Sequence, residues 1–467
     1  MQSSDTGMSQ GAAPASRDLT DLIDLSPWSG FQKAMLACFA LVFAVDGLAN
    51  QSLGIALPAL IADWSTSRAT FAPVAAANLA GVAFGSILGG LLGDRIGRRW
   101  ALIGAVLLFG LMTAACALVQ DPTQLMAVRF IDGIGIGAAI PNGAALISEF
   151  TPSRRRGRAI AIGMVFIPIG GIIAGGLGAS VLEALGWRAM FLVAGSLPIA
   201  LAALFLFVLP ESPSFLQRAG KHDELARLLE KCRIRLEPSQ HFTAPRAAKG
   251  MMAPLGLLLS ADLRHRTLLL WGGFFTCLMA SYTIFSWVPT MLHMLGFDLT
   301  MTSLGITAFH GGGVIGALLS GIVLDRKGFS TTHMALAGGA AVIAAILAGL
   351  LSLDIVAVLV ILPMMLILGF CIAGLHNTLY TLAANIYPTE ARATGVGIAS
   401  ATGRLGAVLS SFTGVISLDL GGPLAFFGVV AVLLALCGLS GVAARAGERR
   451  KTLAHTSAVP SHAATGS

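Results

Sequence analysis

Charged residues are scarce in this chain of 467 residues. Asp, Glu, Lys and Arg together make up 11%, against about a quarter in an ordinary soluble domain, whereas 55% of the residues are hydrophobic. Too few polar groups are present to cover a globular surface, which excludes a soluble protein. Aromatic residues are also few, at 7%, but glycine reaches 56 residues, and this is typical of helices that pack closely within lipid.

The chain also lacks a disulfide framework and any enzyme motif. Five of its six cysteines fall inside apolar runs and Cys232 lies in a basic segment, so we interpret all six as small core residues. Glycine-rich runs such as 311–313 lack the Lys and Ser/Thr of a nucleotide loop. No spacing of metal ligands, or of a nucleophile with its base, stands out. The sequence therefore predicts no enzyme, no metal site and no cofactor.

The apolar residues form twelve long runs. Each is about 20 residues long, the length that crosses a bilayer as an α-helix, and the runs are continuous, unlike the alternating strands of a barrel. A polar break after the sixth run separates two groups of six. We expect an all-α integral membrane protein with twelve transmembrane helices in two six-helix halves, the spans lying at about 33–58, 70–92, 100–119, 124–148, 158–182, 187–209, 266–292, 302–324, 332–352, 355–382, 394–417 and 423–443.

Polar segments divide the chain into five parts. The first is Ser/Ala-rich and lacks the basic flank and cleavage site of a signal peptide, and a basic loop separates the two halves. The predicted parts are a cytoplasmic tail at 1–32, a six-helix half at 33–209, a central cytoplasmic loop at 210–265, a second half at 266–443 and a cytoplasmic tail at 444–467.

Lys and Arg are distributed unevenly between the loops. With a cytoplasmic N-terminus, nearly all of them face the cytoplasm, and the opposite loops carry only Arg68 and Arg188 among several acids. This is the asymmetry of the positive-inside rule. Membrane topology therefore explains the net charge of +7, and we predict the lipid bilayer, not a nucleic acid, as the surrounding partner.

Two loop motifs occur once in each half. The loop after the second span reads Gly-Asp-Arg-Ile-Gly-Arg-Arg at 93–99, and a degenerate copy, Leu-Asp-Arg-Lys-Gly, follows the eighth span at 324–328. The number of residues between these two copies is nearly the number that separates the segment at 150–156 from a similar segment at 387–392. A duplicated six-helix unit indicates a transporter whose substrate site lies between the halves, near the bilayer midplane.

These loops and the two halves resemble the major facilitator superfamily. A finer set of motifs spreads over nearly the whole chain, at 23–24, 31–32, 46–47, 58–60, 129–130, 133–139, 141–142, 209–213, 387–389, 392–397 and 403–406. Together these motifs resemble the aromatic acid:proton symporters that carry benzoate, 4-hydroxybenzoate and hydroxyphenylpropionate. The resemblance implies the major facilitator fold, proton-coupled uptake of a small aromatic carboxylate by alternating access, a monomer, and a bacterial inner membrane.

One position departs from the resembled pattern. The family has Asp-Gly-x-Asp in the first span, where this chain has Ala49 in place of the second acid. The departure puts the proton stoichiometry in doubt and leaves two alternatives open: a symporter of a non-aromatic organic anion, or a proton-driven exporter of aromatic compounds. A third alternative, of another class, is a membrane sensor that signals through the loop at 211–264 or the C-terminal tail.

Two acidic residues are candidates for proton coupling. Asp46 lies near the middle of the first span, where a lone carboxylate is costly unless it faces a cavity, pairs or binds a proton. We expect Asp46 to carry the proton, and a hydrogen-bonded structural role is the alternative. Glu149 ends the fourth span close to Arg154–Arg156, so an ion pair and a proton relay are both open. The resemblance implies that Glu149 is functional.

Two arginines lie at membrane depth. A guanidinium offers parallel N–H donors that match a carboxylate, and Arg404, mid-span in the eleventh helix, is the candidate for the substrate carboxylate. Arg129 has Asp132 one turn away, so a structural pair and a role in the gate or site are both open. The motif that begins at Arg129 ends at Asn142, a further candidate contact.

Histidines and aromatic residues complete the predicted site. His310 and His376 lie at membrane depth, where histidine can exchange a proton or hydrogen-bond a ligand, although packing is the alternative. The resembled family often has Gln at the position of His376, and Asn377 follows it. An aromatic substrate also needs flat apolar walls, unless these rings only pack the helices, and we expect them from Tyr282, Phe285 and Trp287.

The short basic loops are the candidate gate. Asp94 lies at a helix end among arginines and can form an ion-pair latch between helices that breaks as the halves rock, with a solvated topology signal as the alternative. The resemblance adds the second copy of this loop and a histidine at the start of the ninth span. The predicted gating residues are Asp94, Arg95, Arg98, Asp325, Arg326, Arg392 and His333.

Overall fold

The computed structural model describes residues 19–25, 27–234, 256–261, 263–353, 355 and 357–457. The predicted tails at 1–32 and 444–467 and the predicted loop at 210–265 lie partly outside the described residues. The α-helices, in chain order, are α1 Leu19–Leu25, α2 Gly30–Asp63, α3 Ala72–Ile96, α4 Arg98–Ala115, α5 Pro122–Phe150, α6 Ser153–Leu177, α7 Glu183–Val208, α8 Pro213–Arg218, α9 His222–Lys231, α10 Arg264–Met294, α11 Leu299–Lys327, α12 Phe329–Ser352, α13 Val358–Ile386 and α14 Thr389–Ser457.

Ten helical stretches of the described chain are long and apolar enough to cross a membrane. Two of them, Ser153–Val208 and Thr394–Arg445, have 56 and 52 residues, about twice the length that one crossing requires. Each bends where a glycine has a positive φ, 79° at Gly186 and 56° at Gly422. Each stretch therefore crosses twice, which gives twelve crossings and confirms the predicted twelve-helix membrane fold.

The two halves repeat the same helix pairings. In the first half α3 packs on α5 and α2 on α6, and in the second half α11 packs on α13 and α10 on α14. Asn142 Nδ2 in α5 donates to the carbonyl of Gly89 in α3 at 2.8 Å, and Asn377 Nδ2 in α13 donates to the carbonyl of Ala317 in α11 at 3.0 Å. We call each of these bonds an amide clamp. Their matching positions support the internal repeat.

Helices α3 and α5 approach too closely to leave room for a side chain between them. A Cβ on Gly85 would overlap the carbonyl of Ile134 in α5, and a Cβ on Gly137 would overlap the carbonyl of Val82 in α3. A Cβ on Gly90, elsewhere on α3, would have nothing within 4 Å. Because lipid is as apolar as the side chains, such close backbone contact is what holds membrane helices together.

We expect Gly85→Ala to lower the free energy of unfolding by about 1–3 kcal/mol, because α3 and α5 would have to separate. The matched control is Gly90→Ala in the same helix. It should be neutral or stabilise by up to about 1 kcal/mol, since alanine is the better helix former. Thermal unfolding of both variants in one detergent measures the difference, and equal melting temperatures would contradict the close packing.

The two ends of the bundle differ in charge. One end carries α8, α9 and the loops that follow α3, α5, α11 and α13, and it holds most of the described Lys and Arg. We call this end the basic face. The opposite end, the acidic face, holds Asp63, Asp121, Glu183, Asp298 and Asp419 against Arg68 and Arg188.

Polar bonds join the two halves at the acidic face. Arg68 Nε lies 2.7 Å from Asp419 Oδ1 in α14, and the Arg68 guanidinium also contacts the sulfur of Met294. Thr300 Oγ1 in α11 donates to Glu183 Oε2 in α7 at 2.6 Å. The halves are thus bridged at this face.

Candidate substrate and proton site

Asp46 lies in α2, inside the bundle. It is 3% exposed, and its Oδ1 has no hydrogen-bond partner among the described residues. The charged groups that act on it electrostatically are Arg404, from the other half, and Asp132. A buried carboxylate oxygen without a partner is costly, and a proton on that oxygen would remove most of the cost.

Arg404 spans the interface between the halves. Its Nη1 donates to Ser86 Oγ at 2.5 Å and to the Val82 carbonyl at 3.3 Å, both in α3. A guanidinium has five N–H donors in a planar fork, so this anchor leaves donors for a further acceptor. These two bonds fix the orientation of the Arg404 guanidinium against α3.

Aromatic rings line the same interface beside Arg404. Tyr282 lies close enough to Asp46 and Arg404 to interact electrostatically with both. Its ring centroid lies 5.3 Å from that of Phe285, edge to face. The structure therefore brings Asp46, Arg404 and this aromatic wall of Tyr282 and Phe285 together at the interface.

His310 extends this aromatic wall across the two halves. Its ring stacks on Phe285 at a centroid distance of 5.1 Å, and its Nε2 lies 3.1 Å from Gln51 Oε1 in α2. Gln51 Nε2 in turn donates to the Phe285 carbonyl at 3.0 Å. His310 thus has a protein partner already, and its observed contacts are packing and a bridge between halves.

His376 occupies a second aromatic cluster, which Tyr380 and Phe274 complete. The His376 ring lies 5.1 Å from Tyr380 and 6.1 Å from Phe274, and the last two rings are 5.0 Å apart. Tyr380 Oη lies 3.3 Å from Ser400 Oγ in α14. Sequence reasoning missed Tyr380, although it is one of three tyrosines in the chain and follows His376 by one helical turn.

Three predicted contacts do not join this central group. Asn142 donates both to Gly89 and to the Ala138 carbonyl, at 2.9 Å for the latter, so its amide hydrogens are used inside the first half. Asn377 holds Ala317 and Ser320 in α11. The Trp287 ring is fully buried against Gly414 of α14. These side chains connect helices within one half.

Arg129 forms the structural pair that was one of its two alternatives. Its Nη1 lies 2.8 Å from Asp132 Oδ2, and the two side chains are 1% and 0% exposed. Asp132 also accepts bonds from Thr113 at 2.9 Å and Asn78 at 3.0 Å. The Arg129 guanidinium reaches the backbone carbonyl of Ala49 at 3.4 Å. The carbonyl of Ala49 thus accepts from Arg129 at the position that lacks the second acid.

Asp94 and Glu149 belong to one ion-pair network at the basic face. Arg98 lies 2.9 Å from Glu149 Oε1 and 3.5 Å from Asp94 Oδ1, and Arg218 of α8 lies 3.8 Å from Asp94. Glu149 also accepts bonds from Ser212 and Ser214 at the start of α8. The network ties α3, α4, α5 and α8 together, and these contacts join helices of the first half to one another and to α8.

A third carboxylate at the basic face, that of Asp24, fixes the start of α6. The Ser153 backbone N–H donates to Asp24 Oδ1 at 2.5 Å. This hydrogen bond, with the nearby positive charges of Arg156 and Arg154, lowers the pKa of Asp24 against the opposing effect of its partial burial. A carboxylate is also favourable at the positive end of a helix dipole.

The other predicted gating residues lie in two different environments. Arg95, Asp325, Arg326 and Arg392 are exposed at the basic face. His333 is fully buried: its Nδ1 lies 2.7 Å from Thr378 Oγ1, and its Nε2 lies 3.2 Å from the Cys437 carbonyl. Both ring nitrogens therefore hold helices of the second half together.

Comparisons with known proteins agree with this architecture. The chain is 34% identical to the gallate transporter of Pseudomonas putida over 88% of its length and 91% of that protein. It is equally 34% identical to the 4-hydroxybenzoate transporter PcaK of Pseudomonas aeruginosa, with coverages of 86% and 90%. The 3-(3-hydroxy-phenyl)propionate transporter of Escherichia coli is 34% identical, with coverages of 82% and 87%. These similarities confirm the resemblance to aromatic acid transporters seen in the sequence.

A solved structure shows the same fold at low sequence identity. The xylose transporter XylE from E. coli, in a partially occluded inward open conformation, superposes with a TM-score of 0.66 at 18% identity, over 88% of this chain and 96% of that one. Residues 39–411 match the sequence profile of the Major Facilitator Superfamily. The chain is thus a multi-pass membrane protein that belongs to the major facilitator superfamily.

Proposed function

We propose that the protein is a secondary active transporter that couples proton entry to the uptake of a small aromatic carboxylate by alternating access. The observation that carries this proposal is the meeting of an unpartnered buried Asp46 oxygen with Arg404 and an aromatic wall at the interface between the halves. The relatives named for gallate, 4-hydroxybenzoate and hydroxyphenylpropionate transport support the substrate class.

In this proposal Asp46 binds the proton and Arg404 binds the substrate carboxylate. The anion and the proton together add no net charge to the site. Since an uncompensated charge in a low-dielectric interior is costly, occlusion is favoured only when both are bound or both are absent. This condition couples the two movements.

The basic face is cytoplasmic in this proposal, by the positive-inside rule, and the membrane is a bacterial inner membrane. The bonds Arg68–Asp419 and Thr300–Glu183 hold the halves together on the opposite side. They must break for the site to open outward and form again for release into the cell. A monomer suffices, because one chain supplies both halves of the site.

The test is uptake of radiolabelled 4-hydroxybenzoate into vesicles that contain the purified protein, with the outside made more acidic by one pH unit. One proton per singly charged anion should sustain about tenfold accumulation, because a pH unit corresponds to about 1.4 kcal/mol. A protonophore should abolish it. Uptake that ignores the gradient would contradict the coupling.

A panel of unlabelled competitors separates the alternatives in the same vesicles. Competition by aromatic acids supports the proposal. Stronger competition by non-aromatic organic anions than by aromatic acids would favour the other substrate class, and accumulation only with the opposite gradient would favour export. Binding without any uptake would favour a sensor.

A further inference from the structure

A buried nitrogen in the second aromatic cluster has no partner. His376 Nε2 is out of contact with solvent, and no hydrogen bond to it is found among the described residues. Leaving such a group unsatisfied costs about 1–3 kcal/mol. Its neighbours are the rings of Phe274 and Tyr380, and an aromatic surround of this kind suits the ring of a ligand as well as a helix core.

His376 and Arg404 lie at the same distance from the basic face. Helices α13 and α14 are antiparallel and meet where Tyr380 contacts Ser400. His376 lies one turn before Tyr380 and Arg404 one turn after Ser400, so both lie about 5–6 Å further from the basic face than this contact. Packed helices are separated by about 8–10 Å between their axes, so His376 and Arg404 lie at the same level of two adjacent helices.

Phe274 strengthens this placement from a third helix. A Cβ on Gly403, the residue before Arg404, would lie 3.2 Å from the Phe274 carbonyl, so α10 touches α14 at this level. Phe274 is at the same time an edge-to-face partner of His376. Tyr282 interacts electrostatically with Tyr380 as well as with Arg404, so the cluster borders the central group.

Resting on the proposed function, we infer that His376 recognises a ring hydroxyl of the substrate. The carboxylate binds Arg404, the ring packs between Tyr282 and Tyr380, and a hydroxyl at the meta or para position donates its hydrogen to His376 Nε2. A neutral imidazole has one nitrogen that can accept such a bond. An ortho hydroxyl lies beside the carboxylate and cannot reach across the ring.

The wild-type protein tests this inference with four acids. Dissociation constants for benzoate and its 2-, 3- and 4-hydroxy derivatives are measured by competition against labelled 4-hydroxybenzoate in the vesicles. The 3- or the 4-hydroxy acid should bind about 5- to 150-fold more tightly than benzoate, the range that one satisfied buried hydrogen bond provides. The 2-hydroxy acid should behave as benzoate does.

Two variants assign the preference to the histidine. His376→Phe keeps an aromatic ring and removes the nitrogen, so the affinities for the hydroxy acid and for benzoate should then agree within about twofold. His376→Gln can still form a hydrogen bond and should keep part of the preference for the hydroxy acid. The matched control is His265→Phe at the exposed start of α10, which should retain the full preference.

The possible failures are distinguishable. If the wild type takes up none of the four acids, the proposed function is wrong. If it takes them up without preferring the 3- or 4-hydroxy acid to benzoate, only the inference about His376 is wrong, and no variant is needed to show it. A preference that survives in His376→Phe would also overturn the inference.

Discussion

Asp46→Asn is expected to abolish the accumulation of an aromatic acid driven by a pH gradient. Asparagine has the shape of a protonated aspartate but cannot release a proton, so the site stays in its loaded charge state. Exchange of labelled for unlabelled substrate requires no net proton movement and should persist. The measurement is vesicle uptake with an imposed gradient, followed by exchange at equal pH on both sides.

A matched control removes a carboxylate elsewhere. Asp223 lies in the exposed first turn of α9. Gradient-driven uptake by Asp223→Asn should equal that of the wild type. Full accumulation by Asp46→Asn would show that another group carries the proton. Loss of exchange as well as accumulation would show that Asp46 is needed for the fold or for substrate binding, and not for coupling alone.

Arg404→Ala is expected to weaken substrate binding by about 30- to 5000-fold. Truncating one partner of a buried, hydrogen-bonded charge pair costs about 2–5 kcal/mol, and each 1.4 kcal/mol is about tenfold in the dissociation constant. Arg404→Lys should restore only part of the affinity, because an ammonium lacks the planar fork that matches a carboxylate. Equilibrium binding of labelled 4-hydroxybenzoate to purified protein measures both.

Arg227→Ala is the control for this substitution, since Arg227 is exposed on α9 and remote from the central group. It should bind the acid as the wild type does. An unchanged dissociation constant in Arg404→Ala would mean that the carboxylate binds elsewhere. The bonds from Arg404 to Ser86 and Val82 would then be its whole role.

The fold could be predicted from the sequence because a bilayer imposes a simple rule. About 20 apolar residues must precede each polar turn, and glycines mark the bends inside the two longest helical stretches. The predicted breaks near 183–186 and 418–422 agree with the positive φ angles at Gly186 and Gly422. The uneven distribution of Lys and Arg between the loops also distinguished the two ends of the bundle.

The site was harder to predict, because sequence identifies which residues are costly in lipid but not which way they face. The charged side chains of Asp46 and Arg404 would be costly at any position of a membrane span, and both are found at the interface between the two halves. Asn142 and His333 are costly too, yet their partners lie within their own half. Tyr380 carries no charge, and its spacing of one helical turn from His376 is equally that of a packing residue.

The amide clamps and the buried Arg129–Asp132 pair divide the polar bonds into two populations. One population lies within a half, and the proposed alternating access would leave it intact; the Arg68–Asp419 bridge and the Thr300–Glu183 bond lie between the halves, and the proposed cycle requires them to break and re-form. Substitutions in the first population should therefore change how much protein folds. Substitutions in the second should change how fast it turns over, so that turnover can be tuned at the acidic face without altering which molecule is recognised.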